Sequence, residues 1–353
     1  MSHEQRATAV AHPNIALAKY WGKRGWGDNL PAVPSLSLTL AGLETRTTVR
    51  FDPGLARDRL VVGGVALEAR PLARVGRLLD LVWAAGRGAG ASEARSASLP
   101  PRPCAEVTSA NDFPTAAGLA SSASAFAALA VAAASALSAP LSPGTMSDLA
   151  RRISASAGRS LFGGFVSLAA APAEPTGQAA SAVLEATPLL PASHWDLRVI
   201  VAVTTEAPKA VGSTEGMLRT AATSPFYAAW LEGAPLLYES IVAAVRDRDL
   251  DALAPVVEQG ALAMHAAALA AVPGLVYWSG VTVELVHAVR RLRNAGTPAF
   301  FTIDAGPHLK AFTTPEHAAQ VERALAAVPG VVRTIAARPG EGARVLAGPG
   351  EAG

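Results

Sequence analysis

Cysteine is all but absent from this chain of 353 residues, Cys104 being the only one. A single thiol excludes an intramolecular disulfide and a cysteine-rich zinc site, and it fits a reducing compartment. The seven histidines show no H-E-x-x-H or comparable spacing, which argues against a zinc enzyme. No G-x-x-x-x-G-K-[ST] run occurs, and no G-x-G-x-x-G follows a strand-like segment, so neither a Walker loop nor a dinucleotide fold is indicated. Charge is scarce: 16% of residues are charged, the formal net charge is +2, and half the chain is hydrophobic. That composition belongs to a globular protein, and no Lys/Arg block with interleaved aromatics marks a nucleic-acid surface. The first ten residues lack the apolar core of a signal peptide, so the expected location is the cytoplasm. The length predicts two domains, each with its own core.

Residues 113–147 contain no Asp, Glu, Lys or Arg, a gap long enough to cross a bilayer. The run consists mainly of Ala, Ser and Gly, is broken by Pro140 and Pro143, and lacks flanking basic residues. Membrane insertion needs Leu, Ile, Phe or Val, so the expectation is a helix buried between other elements.

Elsewhere the pattern predicts strands over 45–51, 59–62 and 104–109, with Gly63-Gly64 as a hairpin signal. An apolar stripe of Leu78, Leu79, Leu81 and Val82 predicts a helix over 72–85. Further helices are expected over 146–157, 224–246, 250–271 and 281–295, and strands over 197–203 and 299–303. Pro315 is expected to open a helix with Thr314 as its N-cap, and 330–332 to lead into a last strand. The Pro-rich stretch 172–191 reads as loose and as the candidate domain boundary. Strands and helices interleave without a strict β-α-β repeat, which predicts an α+β fold. No internal repeat is present.

Two segments carry phosphate chemistry. Asn111-Asp112-Phe113-Pro114-Thr115-Ala116-Ala117-Gly118-Leu119-Ala120-Ser121-Ser122-Ala123-Ser124 runs from small and hydroxylated residues into an alanine-rich helix. Residues without bulk let backbone N–H groups approach an anion at a helix start, and the dipole favours negative charge there. The same residues also suit a plain packing helix behind a Gly turn. Upstream, His12-Pro13-Asn14-Ile15-Ala16-Leu17-Ala18-Lys19-Tyr20-Trp21-Gly22-Lys23-Arg24 gathers cations and a tyrosine that would suit a polyanion, or a solvated basic turn.

Two more segments join them: Ser154-Ala155-Ser156-Ala157-Gly158-Arg159-Ser160-Leu161-Phe162-Gly163-Gly164 and Phe301-Thr302-Ile303-Asp304-Ala305-Gly306-Pro307. With these four motifs in order, the chain resembles the diphosphomevalonate decarboxylases of the GHMP kinase superfamily, from Asn14 to about Gly342. The resemblance implies the GHMP kinase fold. A ribosomal-protein-S5-like α/β domain would span 1–192 and a ferredoxin-like α+β domain 193–353, with the active site in the cleft between. It implies ATP and Mg²⁺ as cofactors, mevalonate 5-diphosphate as substrate, isopentenyl diphosphate as product in isoprenoid biosynthesis, and a homodimer. No nucleic-acid or membrane partner is expected.

By the same resemblance, Asp304, Lys19 and Arg159 are the catalytic candidates. Asp304 would accept the proton of the substrate 3-hydroxyl or orient it, and Lys19 would stabilise transferred charge. Arg159 would grip the substrate through its planar guanidinium. Tyr20, Lys23, Ser154 and Ser156 would hold the diphosphate, and Ser213 and Thr214, with Lys209, would line the cleft. Ala117, Gly118, Leu119, Ala120, Ser121, Ser122 and Ser124 would cradle the ATP phosphates; no metal ligand is named. Trp21 and His265 read as core residues. Val33, Pro34, Gly212 and His308 depart from the family pattern beside the pocket. Within the superfamily, a phosphomevalonate decarboxylase or a mevalonate 3-kinase is the alternative, and a non-catalytic nucleotide-binding protein a further one.

Overall fold

The computed structural model describes residues 5–88, 99–113, 121–175, 183–207 and 209–346. Strands β1 (Arg6–Ala11), β4 (Thr45–Phe51), β5 (Arg59–Val62), β6 (Val65–Ala66), β7 (Ala105–Asn111) and β14 (Arg344–Val345) form one sheet, ordered β14-β1-β4-β7-β5-β6. Only the β5–β7 pairing is parallel. In β4 the residues Thr45, Thr47, Val49 and Phe51 turn inward while Arg46 stays exposed, the period of two that a half-buried strand requires. Helices α1 (Ala69–Gly86) and α2 (Ser121–Ala136) supply the other half of that core, through Val75, Leu78, Leu79 and Val82 of α1 and most of α2. From Ala123 to Ala134 every residue of α2 except Ala125 is buried. The charge-free run is thus a core helix, and its small side chains let sheet and helices close on it from several sides.

The second sheet contains β2 (Asn14–Ala18), β3 (Ser35–Ala41), β8 (Phe165–Leu168), β9 (Thr187–Leu190), β10 (Arg198–Val203), β11 (Ala299–Ile303), β12 (Leu309–Thr313) and β13 (Arg333–Pro339). Its order is β11-β12-β10-β13-β3-β8-β9, with β2 also on β3. Helices lie on both faces, so β10 is apolar at successive positions rather than alternating. Val199, Val201 and Val203 share a core with Ile241, Val245 and Val257 of α5 (Tyr227–Asp247) and α6 (Leu250–Leu269). Ile200 and Ala202 face Leu285, Val289, Val321 and Leu325 of α7 (Gly280–Asn294) and α8 (Ala318–Ala326).

Hydrogen bonds knit the two halves of the chain. Strand β13 pairs with β10 and, at Arg338 and Pro339, with Ala41 and Leu40 of β3. The chain then passes Gly163 and Gly164 to reach the first sheet as β14. A Cβ on Gly163 would sit 2.8 Å from the Glu341 Cα, and Gly164 holds a φ of +68°, so this crossing needs glycine at both positions. The expected boundary at 192/193 falls in the short 3₁₀ helix Ala192–His194.

Several elements differ from expectation. The helix expected over 146–157 is Pro143–Ile153, α3, capped by the Ser142 hydroxyl. It breaks at Ser154, whose φ is −151°, and a 3₁₀ helix, Ala155–Leu161, follows. The stretch 172–191, expected to be loose, contains β9. Pro188 is tolerated there because β9 is an edge strand. The helix expected over 224–246 starts later, at Tyr227 (α5), and a separate, unexpected helix, Ser213–Thr223 (α4), precedes it, with Ser224-Pro225 between the two. Thr314 makes no side-chain cap; a 3₁₀ turn, Pro315–His317, precedes α8, and the Thr314 hydroxyl meets His317 Nδ1 instead.

Candidate active site

The ends of two buried strands bring distant residues to one point. Lys19 directly follows β2, and Asp304 directly follows β11. Lys19 Nζ donates to Asp304 Oδ1 at 2.7 Å and to the Ala16 carbonyl at 3.0 Å. Thr302 Oγ1 donates to that same carbonyl at 3.4 Å, which ties the strands together. The other carboxylate oxygen, Oδ2, lies 3.2 Å from Lys310 Nζ. Lys310 stands opposite Thr302 in the β11–β12 pairing. Both lysine side chains are 1% exposed, whereas that of Asp304 is 29% exposed and lines a cavity of about 750 Å³. Burial alone would raise the Asp304 pKa, but the two ammonium groups override it and hold the carboxyl well below the usual range. Burial lowers the pKa of Lys19, opposed by Asp304. Lys209 is lowered by burial as well; its ammonium bonds Ser213 Oγ at 2.9 Å and the Ala305 carbonyl at 3.0 Å.

Arg159, on the 3₁₀ helix, is 2% exposed. Its guanidinium donates to Ser37 Oγ at 2.9 Å, Ser35 Oγ at 2.7 Å and Asn14 Oδ1 at 3.4 Å. Every one of these acceptors is neutral, and burial pulls its pKa down to about 10. A buried cation without a counter-anion is costly, and Arg159 lines the cavity. The arrangement is primed for an anion.

At the cavity's other side Lys23 Nζ donates to Asn29 Oδ1 at 2.5 Å and to Thr214 Oγ1 at 3.0 Å. Burial, with Arg74 and Arg70 nearby, lowers its pKa to about 8. Ser154 and Ser156, whose hydroxyls are 3.5 Å apart, line the same wall. Tyr20 lines it also; burial raises its phenol pKa. The structure therefore brings Lys19, Tyr20, Lys23, Ser154, Ser156, Arg159, Ser213, Thr214 and Asp304 into one cavity.

Ala117, Gly118, Leu119 and Ala120 lie outside the described residues. Ser121 and Ser122 line the cavity at the start of α2. Ser124 does not: it is fully buried, with its hydroxyl 2.6 Å from that of Thr45 and 3.3 Å from the Ser121 carbonyl. Two residues past the exposed Ser122, a rotation of about 200° turns it into the core. Trp21 packs edge-on against Tyr277, and His265 lies buried beside Trp278 with its pKa pushed down to about 3, chiefly by burial. Both are buried, as expected, but Trp21 also lines the cavity, and Trp21 Nε1 and His265 Nε2 have no hydrogen-bond partner among the described residues.

Sequence reasoning passed over Lys310, Arg70 and Arg74. The two arginines stand four apart on α1 and line the cavity, a spacing that puts them on one helix face. Lys310 had a fainter signal, a lone lysine in the strand Leu309–Thr313, all of whose residues are buried. Three of the four departures from the pattern are also placed. Val33 is fully buried in the Trp21 cluster, and Gly212 heads α4 without a capping side chain. His308 accepts from the Thr204 N–H at 3.2 Å; its pKa is lowered to about 4, first by burial and then by Lys310.

Among the described residues no three His, Cys, Asp or Glu side chains converge to hold a metal. A cavity lined by cations and hydroxyls suits nucleotide phosphates, and magnesium commonly arrives on such phosphates with few protein ligands. The donor set thus fits ATP with Mg²⁺, and Ser121 and Ser122 line the same cavity.

Comparison with known proteins finds relatives over both halves of the chain. The diphosphomevalonate decarboxylase-like N-terminal domain matches residues 11–180, and the mevalonate 5-diphosphate decarboxylase C-terminal domain matches residues 199–338. The diphosphomevalonate decarboxylase of Ganoderma lucidum is 37% identical over 328 residues, covering 90% of this chain and 80% of that protein. The phosphomevalonate decarboxylase of Haloferax volcanii is 32% identical over 322 residues, covering 91% and 92%. A solved complex with MVAPP, AMPPCP and magnesium superposes with a TM-score of 0.84 at 34% identity, covering 97% of this chain and 99% of its own. The mevalonate diphosphate decarboxylase from Enterococcus faecalis gives 0.83, with the same identity and coverage. Its sequence, its fold and the residues gathered around Asp304 place this chain in the diphosphomevalonate decarboxylase family.

Proposed function

We propose that the protein is an ATP-dependent decarboxylase of mevalonate 5-diphosphate. It would phosphorylate the tertiary 3-hydroxyl and then release phosphate and carbon dioxide to leave isopentenyl diphosphate. One observation carries this: a single cavity holds a buried Arg159 with no ion-pair partner among the described residues and a separate Lys23–Arg70–Arg74 group, with Asp304 on its wall. The substrate has the matching layout, a carboxylate and a diphosphate on either side of the reacting hydroxyl.

In this assignment Lys23, Tyr20, Ser154, Ser156 and Thr214 hold the diphosphate, and Arg159 receives the substrate carboxylate in charge-assisted hydrogen bonds. Asp304, ionised between its lysines, accepts a hydrogen bond from the 3-hydroxyl and turns its oxygen toward the phosphoryl donor. Lys19 and Lys209 stabilise charge on the phosphoryl group as it moves. Ser121, Ser122 and the preceding loop hold the nucleotide. Bound magnesium would neutralise phosphate charge there. In the second half of the reaction the C3–O bond to phosphate breaks. The electron pair of the C1–C2 bond then forms the C2=C3 double bond as carbon dioxide leaves, with Arg159 orienting the carboxylate. We place the working form in the cytoplasm as a homodimer, in keeping with the lone Cys104 and with the family's common assembly. The division into domains at 192/193 is proposed on the break in matched regions between 180 and 199.

The test follows ADP and carbon dioxide together, with ATP, Mg²⁺ and mevalonate, its 5-phosphate or its 5-diphosphate as substrate. Equal release of both products, on the diphosphate in preference, is the expected result. ADP without carbon dioxide would show a 3-kinase instead. Preference for the 5-phosphate would align the protein with its Haloferax relative.

A further inference from the structure

We propose that Lys310 is a positioning residue for phosphoryl transfer: from behind the cavity wall it fixes the Asp304 carboxylate so that its remaining lone pairs face the substrate hydroxyl. The inference deepens the function proposed above and rests on Asp304 meeting that hydroxyl.

Three features of the structure support it. First, the contact is divided between the two oxygens, with Lys19 on Oδ1 at 2.7 Å and Lys310 on Oδ2 at 3.2 Å. A carboxylate held at one oxygen can still turn about its terminal torsion, which is broad for aspartate. Held at both, it cannot. Each oxygen keeps a second acceptor site, and the cavity is the open side, since Asp304 lines it.

Second, the two lysines are not equivalent. Lys19 lines the cavity, whereas Lys310 is not among its lining residues. It projects from the second position of β12, is 1% exposed, and makes its other contact, at 3.4 Å, with the His308 carbonyl. Lys310 therefore meets no substrate atom and acts only through Asp304. Third, the hairpin that carries Lys310 also carries Asp304. Thr302 pairs with Lys310, and Ile303 with Leu309, so strand pairing sets the height of the ammonium relative to the carboxylate.

Several charged or titratable groups surround this carboxylate: Lys19 after β2, Lys310 on β12, Lys209 ahead of α4, Arg159 on the 3₁₀ helix and His265 on α6. His265 is neutral at ordinary pH, its pKa being about 3. The others are cations that favour an ionised Asp304. Removing Lys310 takes away one of the two that touch it, so protonation of Asp304 in Lys310→Met begins at a higher pH than in the wild type.

The experiment compares wild type, Lys310→Met and Lys310→Gln in the presence of ATP and Mg²⁺, reading ADP formation against pH. Lys19 stays to pair Asp304 in these variants, so no lone buried carboxylate is created. Whether each variant has folded is read by circular dichroism. Expected is a fall in kcat of at least about tenfold, short of the roughly hundredfold that a 1 Å misplacement can cost. KM for ATP and for the mevalonate substrate should change less than about threefold. A role in packing alone would lower the active fraction and leave kcat per folded molecule unchanged. The proposal is overturned by kcat per folded molecule within twofold of wild type, or by a loss confined to KM.

The wild type is assayed first. If it forms no product from mevalonate 5-diphosphate, the substrate assignment fails, and Lys310 is judged on whichever mevalonate derivative yields ADP. If the wild type is active and the folded variants match it, the Lys310 proposal fails alone. Should both variants fail to fold, the wild-type profile decides: a kcat limb above about pH 5 that disappears in Asp304→Asn would show that the carboxylate is not held ionised.

Discussion

Two aspartates in this protein sit among buried cations, and they are built differently. Asp148 on α3 accepts from Arg151 Nε at 3.1 Å and Nη2 at 2.6 Å, from Arg152 Nε at 2.8 Å and from the Leu184 N–H at 2.9 Å. These four bonds, three on Oδ1 and one on Oδ2, equal the about four acceptor sites of a carboxylate, and Asp148 is 2% exposed. Among the described residues Asp304 accepts from two lysines only, and it keeps 29% of its side chain open to the cavity. Both clusters hold one anion between two cations. The number of unfilled acceptor sites, rather than charge or burial, separates a cluster that ties a fold together from one that can meet a substrate.

The largest expected effect bears directly on that contrast. Asp304→Asn should fold and bind ATP yet lose at least about a hundredfold in kcat, the scale of a lost acid–base or orienting group; steady-state turnover measures it, and full activity would remove Asp304 from the chemistry. Asp148→Ala should do the reverse. Leaving two buried guanidinium groups without their anion should cost roughly 3–5 kcal/mol of stability, seen as an earlier denaturant midpoint, while kcat per folded molecule holds. A large kcat loss at unchanged stability would erase the distinction.

Arg159→Met tests the anion-free cation between these extremes. It should raise KM for the mevalonate substrate by about ten- to a hundredfold, the worth of a charge-assisted bond, with KM for ATP little changed. The smallest effect concerns Lys23, whose pKa of about 8 means charge below that pH and its loss above. Affinity for the diphosphate should therefore be full below pH 8 and fade several-fold by about pH 9. Lys23→Arg should flatten the rise in KM, because a guanidinium stays charged throughout; a rise of the same size in that variant would assign the pH dependence to another group.

Much of this architecture was legible because it depends on local patterning. The stripe Leu78, Leu79 and Val82 marked α1, the run Ala299–Ile303 marked a buried strand, and the charge gap marked a core helix. The misses have physical causes. Pro188 looked like a loop residue, but an edge strand can spare its N–H. Thr314 looked like a cap, but its hydroxyl found the His317 ring first. Ser124 shared the small, hydroxylated character of Ser121 and Ser122, and only the helical rotation of 100° per residue turned it toward Thr45. At the site, four motifs marked Lys19, Arg159 and Asp304. Arg70, Arg74 and Lys310 lay outside those motifs.

The sequence by itself determined the family, the α+β class and most individual elements, because motif order and hydrophobic period are properties of neighbouring residues. The tertiary structure alone decided that Arg159 is met by neutral hydroxyls, that Asp148 is saturated and Asp304 is not, and that Lys310 reaches the carboxylate from behind. The Arg159–Ser35, Arg159–Ser37 and Lys19–Asp304 contacts join groups far apart in the chain, and even the nearer partners of Asp148 and Asp304 are set by the packing around them. No local pattern encodes how many acceptor sites remain open once the chain has closed around them.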